Sequence, residues 1–548
     1  LVLIDGIEGN LNSLNPNDIE TVSVLKDAAS ASIYGARAAF GVILIQTKKG
    51  KAGKARVSYN GNVRFSDAVS VPEMMDSYTF AQYFNRAAEN AGRSGEAPFS
   101  SEQLQKIKDY QEGKITSVTT LNTNNNRWNN YGGANANTDW FKEFYNDWVP
   151  SQEHNLSISG GNEKIQFSLS GSFMDQNGLL RHGEDNLQRY TMNSTITAQI
   201  TDWFRVNYST KWTREDFDRP SYLTGLFFHN IARRWPTCPA YDPNGYPMNG
   251  VEITELEDGG RQTNQKDLNT QQLQFVFEPV KNWTINIEGA LRTENKNEHW
   301  EVLPIFSHDG DGNPYSIPWG SYGAGSSVVN EYNYKENYST NIYSDYFKQY
   351  ESGHYFKVMA GFNAELYKTR SLSGQKNTLI SNSVPTLNTA TESPTTSGGY
   401  AHNGVAGFFG RINYNYKERY LIELNGRYDG SSRFINDKRW GFFPSLSVGW
   451  NIAREDFFRN IADKAHIDVL KLRGSWGQLG NTDTKDAWYP FYQTMPQGTD
   501  YNWLVNGKRP NYASLPGIVS SLKTWETIET WDIGLDWGLF NNRLTGSF

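Results

Sequence analysis

From Val57 onward the chain alternates. Val57, Tyr59, Gly61, Val63 and Phe65 fall on one side of an extended segment, and Ser58, Asn60, Asn62 and Arg64 on the other, the period of two expected of a strand with one apolar face. The alternation recurs where Ile165, Phe167, Leu169 and Phe173 oppose Gln166, Ser168, Ser170 and Ser172, and where Trp283, Ile285, Ile287 and Leu291 oppose Asn286, Glu288 and Arg292. The segment from Arg411 reads as a hairpin: Ile412, Tyr414 and Tyr416, a turn at Lys417–Arg419, then Tyr420, Ile422, Leu424 and Tyr428. Its other face carries Arg411, Glu423, Arg427 and Asp429. A basic side chain facing lipid at the bilayer midplane costs about 2–4 kcal/mol, so in a membrane wall the charged parity must point inward. The same test sends Asp532 and Asp536 inward and Trp531, Ile533, Leu535 and Trp537 outward.

The pattern predicts roughly fourteen or fifteen strands of about nine or more residues, the length a tilted membrane strand needs; strands of soluble sandwiches are usually about five or six residues long. Short turns such as "GGNEK" and "FNNR" alternate with long polar, aromatic stretches at Asp216–Asn269, Asn297–Ser339, Lys368–Asn403 and Asn481–Lys523, which are expected as loops on one side of the membrane. Two helices are expected at Asp76–Asn90 and Ser101–Glu112, each opened by a capping residue, as an elaboration outside the wall. The first fifty residues differ. Apolar β-branched runs at Leu1–Ile4, Ile19–Leu25 and Val42–Ile45 are separated by "NPND" and by the small residues Ala28–Ser32, and a basic, glycine-containing link, Thr47–Arg56, follows. We therefore place a small α/β unit at residues 1–50 and the strand-rich unit at residues 51–548, with the helices near residues 76–112.

Composition supports a membrane wall. Only 37% of residues are hydrophobic and the mean hydropathy is -0.65, yet 14% are aromatic, including 17 Trp and 31 Tyr. A transmembrane barrel reconciles the two, because polar inward positions lower the average while aromatic girdles mark both interfaces. Trp203, Trp212, Trp283 and Trp450, near strand ends, suit such girdles. No apolar run approaches the roughly 18 residues of a spanning helix. A formal net charge of -7 offers no basic footprint for nucleic acid. The single cysteine, Cys238, excludes an intrachain disulfide and a cysteine-based zinc cluster. HExxH, GxSxG, Walker A and GxGxxG motifs are all missing, and the eight histidines are scattered. No catalytic residue and no enzyme activity are expected.

The stretch "LVLIDGIEG…LNPNDIETVSVLKDAASASIYGARAAFGVILIQTKKG" resembles the end of the plug domain of SusC/RagA-type TonB-linked outer-membrane transporters of Bacteroidetes. Further matches follow in "NTDWFKEFYNDWVPSQEHNLSISGGNEKIQFSLSGSFMDQNGLL" and in "ETWDIGLDWGLFNNRLTGSF". The resemblance implies an all-β membrane protein: an antiparallel transmembrane barrel, of roughly 22 strands in the complete family fold, whose lumen is stopped by a plug. It implies that this chain is a fragment, with only the C-terminal part of the plug and part of the barrel. It also implies location in the outer membrane, energy from a TonB–ExbB–ExbD complex, and a SusD-like surface lipoprotein as lid. The expected cargo is an oligosaccharide or glycan fragment; a peptide importer and a structural or adhesive barrel are the alternatives.

Several side chains are candidates for function. Arg37 lies between Gly35 and Gly41 and is either a latch from plug to wall or an ordinary turn arginine; if enclosed it must be paired, since an unpaired buried charge costs several kcal/mol. Trp235, Tyr241, Tyr315 and Trp319 lie in Pro/Gly-rich loops, where their rings would suit sugar faces or would serve loop packing and lid contact. No metal or cofactor is expected. "DGDGNPYS" begins like a calcium loop but has Pro314 where an EF-hand needs Gly and Gly320 where it needs Glu, so it reads as a polar turn, with a loop calcium as the weaker reading.

Overall fold

The computed structural model describes residues 1–25, 32–35, 41–318, 325–482, 488–499, 502–520 and 522–548. Two main sheets organise them. The smaller has strands β1 (Val2–Ile4), β2 (Ile7–Glu8), β3 (Ile19–Leu25) and β4 (Val42–Thr47) in the order β2-β1-β4-β3. β1 and β4 run parallel, and the remaining pairs are antiparallel. β1 and β2 are joined by the two-residue turn Asp5–Gly6, both at positive φ (51° and 90°). Such a turn matches strand twist and favours Asp-Gly. Ile4, Leu14 and Ile45 close one face of this sheet, and Leu3 and Val42 the other.

The larger sheet is the wall. Its strands are β5 (Gly53–Ser66), β6 (Val149–Gly161), β7 (Ile165–Asn177), β8 (Asn186–Thr201), β9 (Phe204–Pro220), β10 (Arg261–Val280), β11 (Trp283–Val302) and β12 (Ser327–Gln349). It continues through β13 (His354–Leu379), β14 (Ala390–Tyr416), β15 (Tyr420–Ser431), β16 (Trp440–Asn451), β17 (Ile467–Asn481), β18 (Glu526–Leu539) and β19 (Leu544–Ser547). These 15 strands form one antiparallel meander in chain order, at the upper end of the expected count. The small sheet lies against the inner face.

Parity follows the charge test. Asn286 and Glu288 are buried, whereas Trp531 and Ile533 are 76% and 82% exposed. Asp532 and Asp536 meet Arg473 at 3.0 and 3.4 Å, so the acids share the inward row with a cation.

The strands are far longer than the alternation suggested. Lys368–Asn403, expected as a loop, is mostly β13 and β14, which leave only residues 380–389 between them. Likewise β9 runs to Pro220, β10 begins at Arg261 and β12 begins at Ser327. Beyond the bilayer both faces of a strand meet water, so the apolar period disappears while the backbone ladder continues. At a rise of about 3.4 Å per residue the longest strands span roughly 90 Å.

Apart from a short helix at Arg459–Ala465 at the short-turn end, the α-helices of the described residues gather at the long-loop end. α1 (Ser77–Asn90) and α2 (Ser101–Gln111) are capped by Asp76 and Ser100, whose side-chain oxygens accept from backbone amides of the first turn. The shorter α3 (Trp140–Phe144), α4 (Gly225–Arg233) and α5 (Ile253–Glu257) bring Trp140, Phe144, Phe227, Ile253 and Leu256 into one apolar core with Ile305. The connections after β5, β7, β9 and β11 thus form a packed unit above the wall, which their Pro/Gly-rich composition concealed.

Candidate functional site at the seam between small sheet and wall

The turn between β1 and β2 sets Asp5 at a tip aimed at the wall. Its carboxylate accepts from the Thr47 amide (2.8 Å) and hydroxyl (2.7 Å), which ties the tip to β4. It also forms an ion pair with Lys211 of β9. Burial raises the Asp5 pKa, but the Lys211 charge and the hydrogen bonds from Lys211 and Thr47 outweigh it and leave the carboxyl below its ordinary value. Gln272 of β10 donates to the Asp5 carbonyl at 3.0 Å and to Glu288 at 2.9 Å. Further along the seam the Thr213 hydroxyl donates to the Ser13 carbonyl at 3.1 Å, and Asn193 donates to the Asp18 carboxylate.

A second anchor comes from the wall. Arg427 of β15 is buried and paired with Asp429 two residues along the same inward row, at 2.7 Å. Its guanidinium donates to the Ile33 carbonyl at 2.8 Å and to Asn363 of β13. Gly35 makes this approach possible: its φ is +84°, and a Cβ there would stand 2.8 Å from Arg427 Nη2. A planar fork with five donors can hold a carboxylate, an amide and a main-chain carbonyl at once.

Between the anchors a cavity of about 600 Å³ separates the small sheet from the wall. Its lining mixes Asp5, Lys49, Gln272, Glu288, Asn363 and Tyr34 with apolar side chains such as Leu3, Leu44, Met359 and Phe409, so both sides of the seam carry polar groups. Hydrogen bonds and ion pairs across such a seam can be exchanged for water when the two parts separate.

Arg37 and Trp319 lie outside the described residues. Trp235 packs among Phe84, Phe80, Phe99 and Tyr131 with ring centroids 4.7 to 5.5 Å away, inside the loop unit. Tyr315 lies under the Arg127 guanidinium at 4.0 Å. Tyr241 is exposed and lines a cavity of about 520 Å³ with Lys142, Glu143 and Arg181, a cavity that neither Trp235 nor Tyr315 lines. The three described aromatic candidates, Trp235, Tyr241 and Tyr315, are therefore not gathered into one platform. Asp309 accepts from the amides of Asp311 (3.0 Å) and Asn313 (2.8 Å), the geometry of a polar turn. Among the described residues no group of three His, Cys, Asp or Glu side chains is placed to hold a metal ion.

Asp5, Lys211, Asn363 and the anchoring role of Arg427 escaped the sequence reading, although Arg427 and Asp429 were expected to face inward. The Asp5–Gly6 dipeptide between two apolar runs was the available signal for the first anchor. Nothing local marks Lys211, because its role depends on a partner on a distant strand.

Comparison with known proteins agrees with this architecture. Residues 207–548 match the family model described as TonB dependent receptor-like, beta-barrel, and residues 1–42 match the TonB-dependent Receptor Plug Domain. The chain is 28% identical over 574 residues to the TonB-dependent receptor SusC of Bacteroides thetaiotaomicron, covering 99% of this chain and 51% of that protein. It is 28% identical over 578 residues to the TonB-dependent receptor P26 of Formosa agariphila, again with 99% and 51% covered. The chain thus spans about half the length of these relatives. In fold it is similar to the RagAB peptide importer in the closed-closed state, with a TM-score of 0.80 at 21% identity, covering 100% of this chain and 60% of that chain. The small sheet is plug, the meander is barrel wall, and the chain belongs to the TonB-dependent receptor family of the outer membrane, on its SusC/RagA-type branch.

Proposed function

We propose that the protein imports a nutrient across the outer membrane by TonB-driven displacement of the plug. The observation that carries this reading is the seam: plug and wall are joined through Asp5–Lys211, Arg427–Ile33 and Thr213–Ser13, contacts that water can replace, around a cavity with polar groups on both sides. A wall built only for structure or adhesion needs no separable stopper. The outer membrane holds no ATP, so the energy is delivered through the plug by a TonB–ExbB–ExbD complex. We assign the cargo as an oligosaccharide or glycan fragment, captured between the loop unit and a SusD-like lipoprotein. The relationship to a receptor named SusC supports this assignment.

A peptide cargo is the second reading, favoured by the fold shared with the RagAB peptide importer. Growth of a deletion strain on single oligosaccharides and on defined peptides separates the two. Loss of growth on an oligosaccharide, restored by the gene but not by a gene lacking its TonB-contacting segment, is expected. Loss confined to peptides would replace the glycan assignment, and normal growth on every substrate would remove the transport reading.

A further inference from the structure

The outer face of the wall carries a second recess that the transport reading leaves unused. It measures about 910 Å³ and is formed by five adjacent strands, β9 to β13, with β8 and β14 at its margins. On β11 its lining includes Asn297 and His299, which share parity with Trp283 and Ile287. On β12 Asn330 and Tyr332 share parity with Tyr338, Ile342 and Tyr346. Those apolar and aromatic side chains are exposed on the outside, whereas the opposite parity on β8, β9 and β10 supplies the plug contacts Asn193, Lys211 and Gln272. The recess therefore opens outward.

Its height is set by the same rows. On β8 the outward row runs Ile200, Ile196, Met192 and Tyr190, then changes to Gln188 and Asn186 as it nears the long-loop end. The polar part begins beyond the aromatic girdle, in the layer occupied by the head groups of the outer leaflet. The β13–β14 connection bends over this layer: a Cβ at Gly374 would stand 3.2 Å from Leu387 Cδ1, so the absent side chain leaves room for the overhang.

The chemistry is that of a sugar site. Gln265 donates its amide nitrogen to Asp216 at 3.0 Å and keeps its carbonyl oxygen. The Asn330 oxygen meets His299 Nδ1 at 2.6 Å, leaving the Asn330 amide nitrogen to donate. Asn297 is exposed with both polar ends available. Fixed donors and acceptors on neighbouring strands, flanked by the apolar surfaces of Tyr332 and Leu372, suit hydroxyl pairs and the C–H face of a pyranose. Among the described lining residues there is no lysine or arginine, which sets the recess against phosphate groups.

We propose that this recess holds the saccharide portion of an outer-leaflet glycolipid, separate from any cargo in the lumen. The test uses the full chain in detergent, compared with the variants Asn297→Ala and Gln265→Ala combined. Thermal unfolding reports their folding. Two probes are used: glycolipid that remains with the protein through purification, measured by mass spectrometry, and the deacylated core oligosaccharide of lipopolysaccharide, titrated calorimetrically. At unchanged unfolding temperature, at least tenfold less retained glycolipid and at least tenfold weaker oligosaccharide binding are expected in the variant. Equal retention and binding in both proteins would overturn the proposal. Oligosaccharide binding without retained glycolipid would overturn the lipid source and leave a free saccharide. An N330C variant that crosslinks to a second copy in membranes would make the recess a seam between copies and overturn it as well.

Discussion

Asp5 and Lys211 stand 206 positions apart in the chain and meet as an ion pair at the seam, each with less than one seventh of its side chain exposed. The carboxylate is held from one side by Thr47 and from the other by the wall, so the pair joins the β1–β2 turn, β4 and β9 at one point.

Asp5→Asn leaves Lys211 enclosed without its anion, a loss of about 3–5 kcal/mol for a buried pair broken on one side. Faster hydrogen exchange of the Val42–Thr47 amides is the expected readout, with partial recovery when Lys211→Met is added. Because the folded pKa of Asp5 is depressed, its stabilisation is present above the ordinary carboxylate pKa, about 3.9, and is lost as pH falls through the lower folded value. Exchange in the wild type should accelerate in that acid range, and in Asp5→Asn it should not change there on this account.

Gly35→Ala places a methyl group against Arg427 at a φ of +84°. The left-handed backbone alone costs about 1–2 kcal/mol for an L-residue, and the guanidinium must also withdraw from the Ile33 carbonyl. The plug should loosen without change to the wall, read as greater sensitivity of cells to a bulky hydrophilic antibiotic. Arg427→Ala should be more severe, because it also leaves the buried Asp429 unpaired. Arg427→Ala combined with Asp429→Ala should recover barrel stability but not plug retention.

The loop unit should weaken in alkali. Burial is the main cause that lifts the Glu255 carboxyl to about 7, with the neighbouring Glu252 charge adding to it against the attraction of Arg234. A carboxyl with a raised folded pKa is carried neutral at low pH, and the penalty of ionising it grows as pH rises from about 4.5 through 7, to the order of 3 kcal/mol. Limited proteolysis between residues 221 and 260 should speed up from pH 6 to pH 8.5, and Glu255→Gln should flatten that dependence.

Cys238 offers an internal gauge of the same unit. Its side chain is fully buried and burial pushes the thiol up to about 11, so alkylation at pH 8 should proceed only through opening of the loop core. Labelling at that pH should be slower in Glu255→Gln than in the wild type; equal rates would detach the cysteine from the Glu255 equilibrium.

Much of the fold was legible because lipid imposes a rule on each strand: the inward parity may be charged and the outward parity may not. That rule placed Glu423, Arg427, Asp429, Asp532 and Asp536 correctly. It is silent where lipid ends, which is why β13 and β14 read as loop from Lys368 to Asn403. The loop unit was hidden for a different reason. Trp140, Phe227, Ile253 and Ile305 come from three separate connections and share no period, and Trp235 looked like a free platform although it closes a cluster of rings. The seam was the least legible part: the Asp5–Gly6 turn marks one side, but an ion pair between a hairpin tip and a wall strand leaves no mark on the sequence near Lys211.

The meander has a consequence for the order of assembly. Each wall strand pairs with the strand made just before it, so the sheet can grow by local hairpins as the chain is delivered. Arg427 lies 394 positions after Ile33 and cannot reach it until β15 has been added. Contacts of such separation carry the largest loop-closure entropy and close late. The stopper is made first and fastened last, and until that fastening the growing wall encloses a plug held mainly by its early partners on β8 to β10.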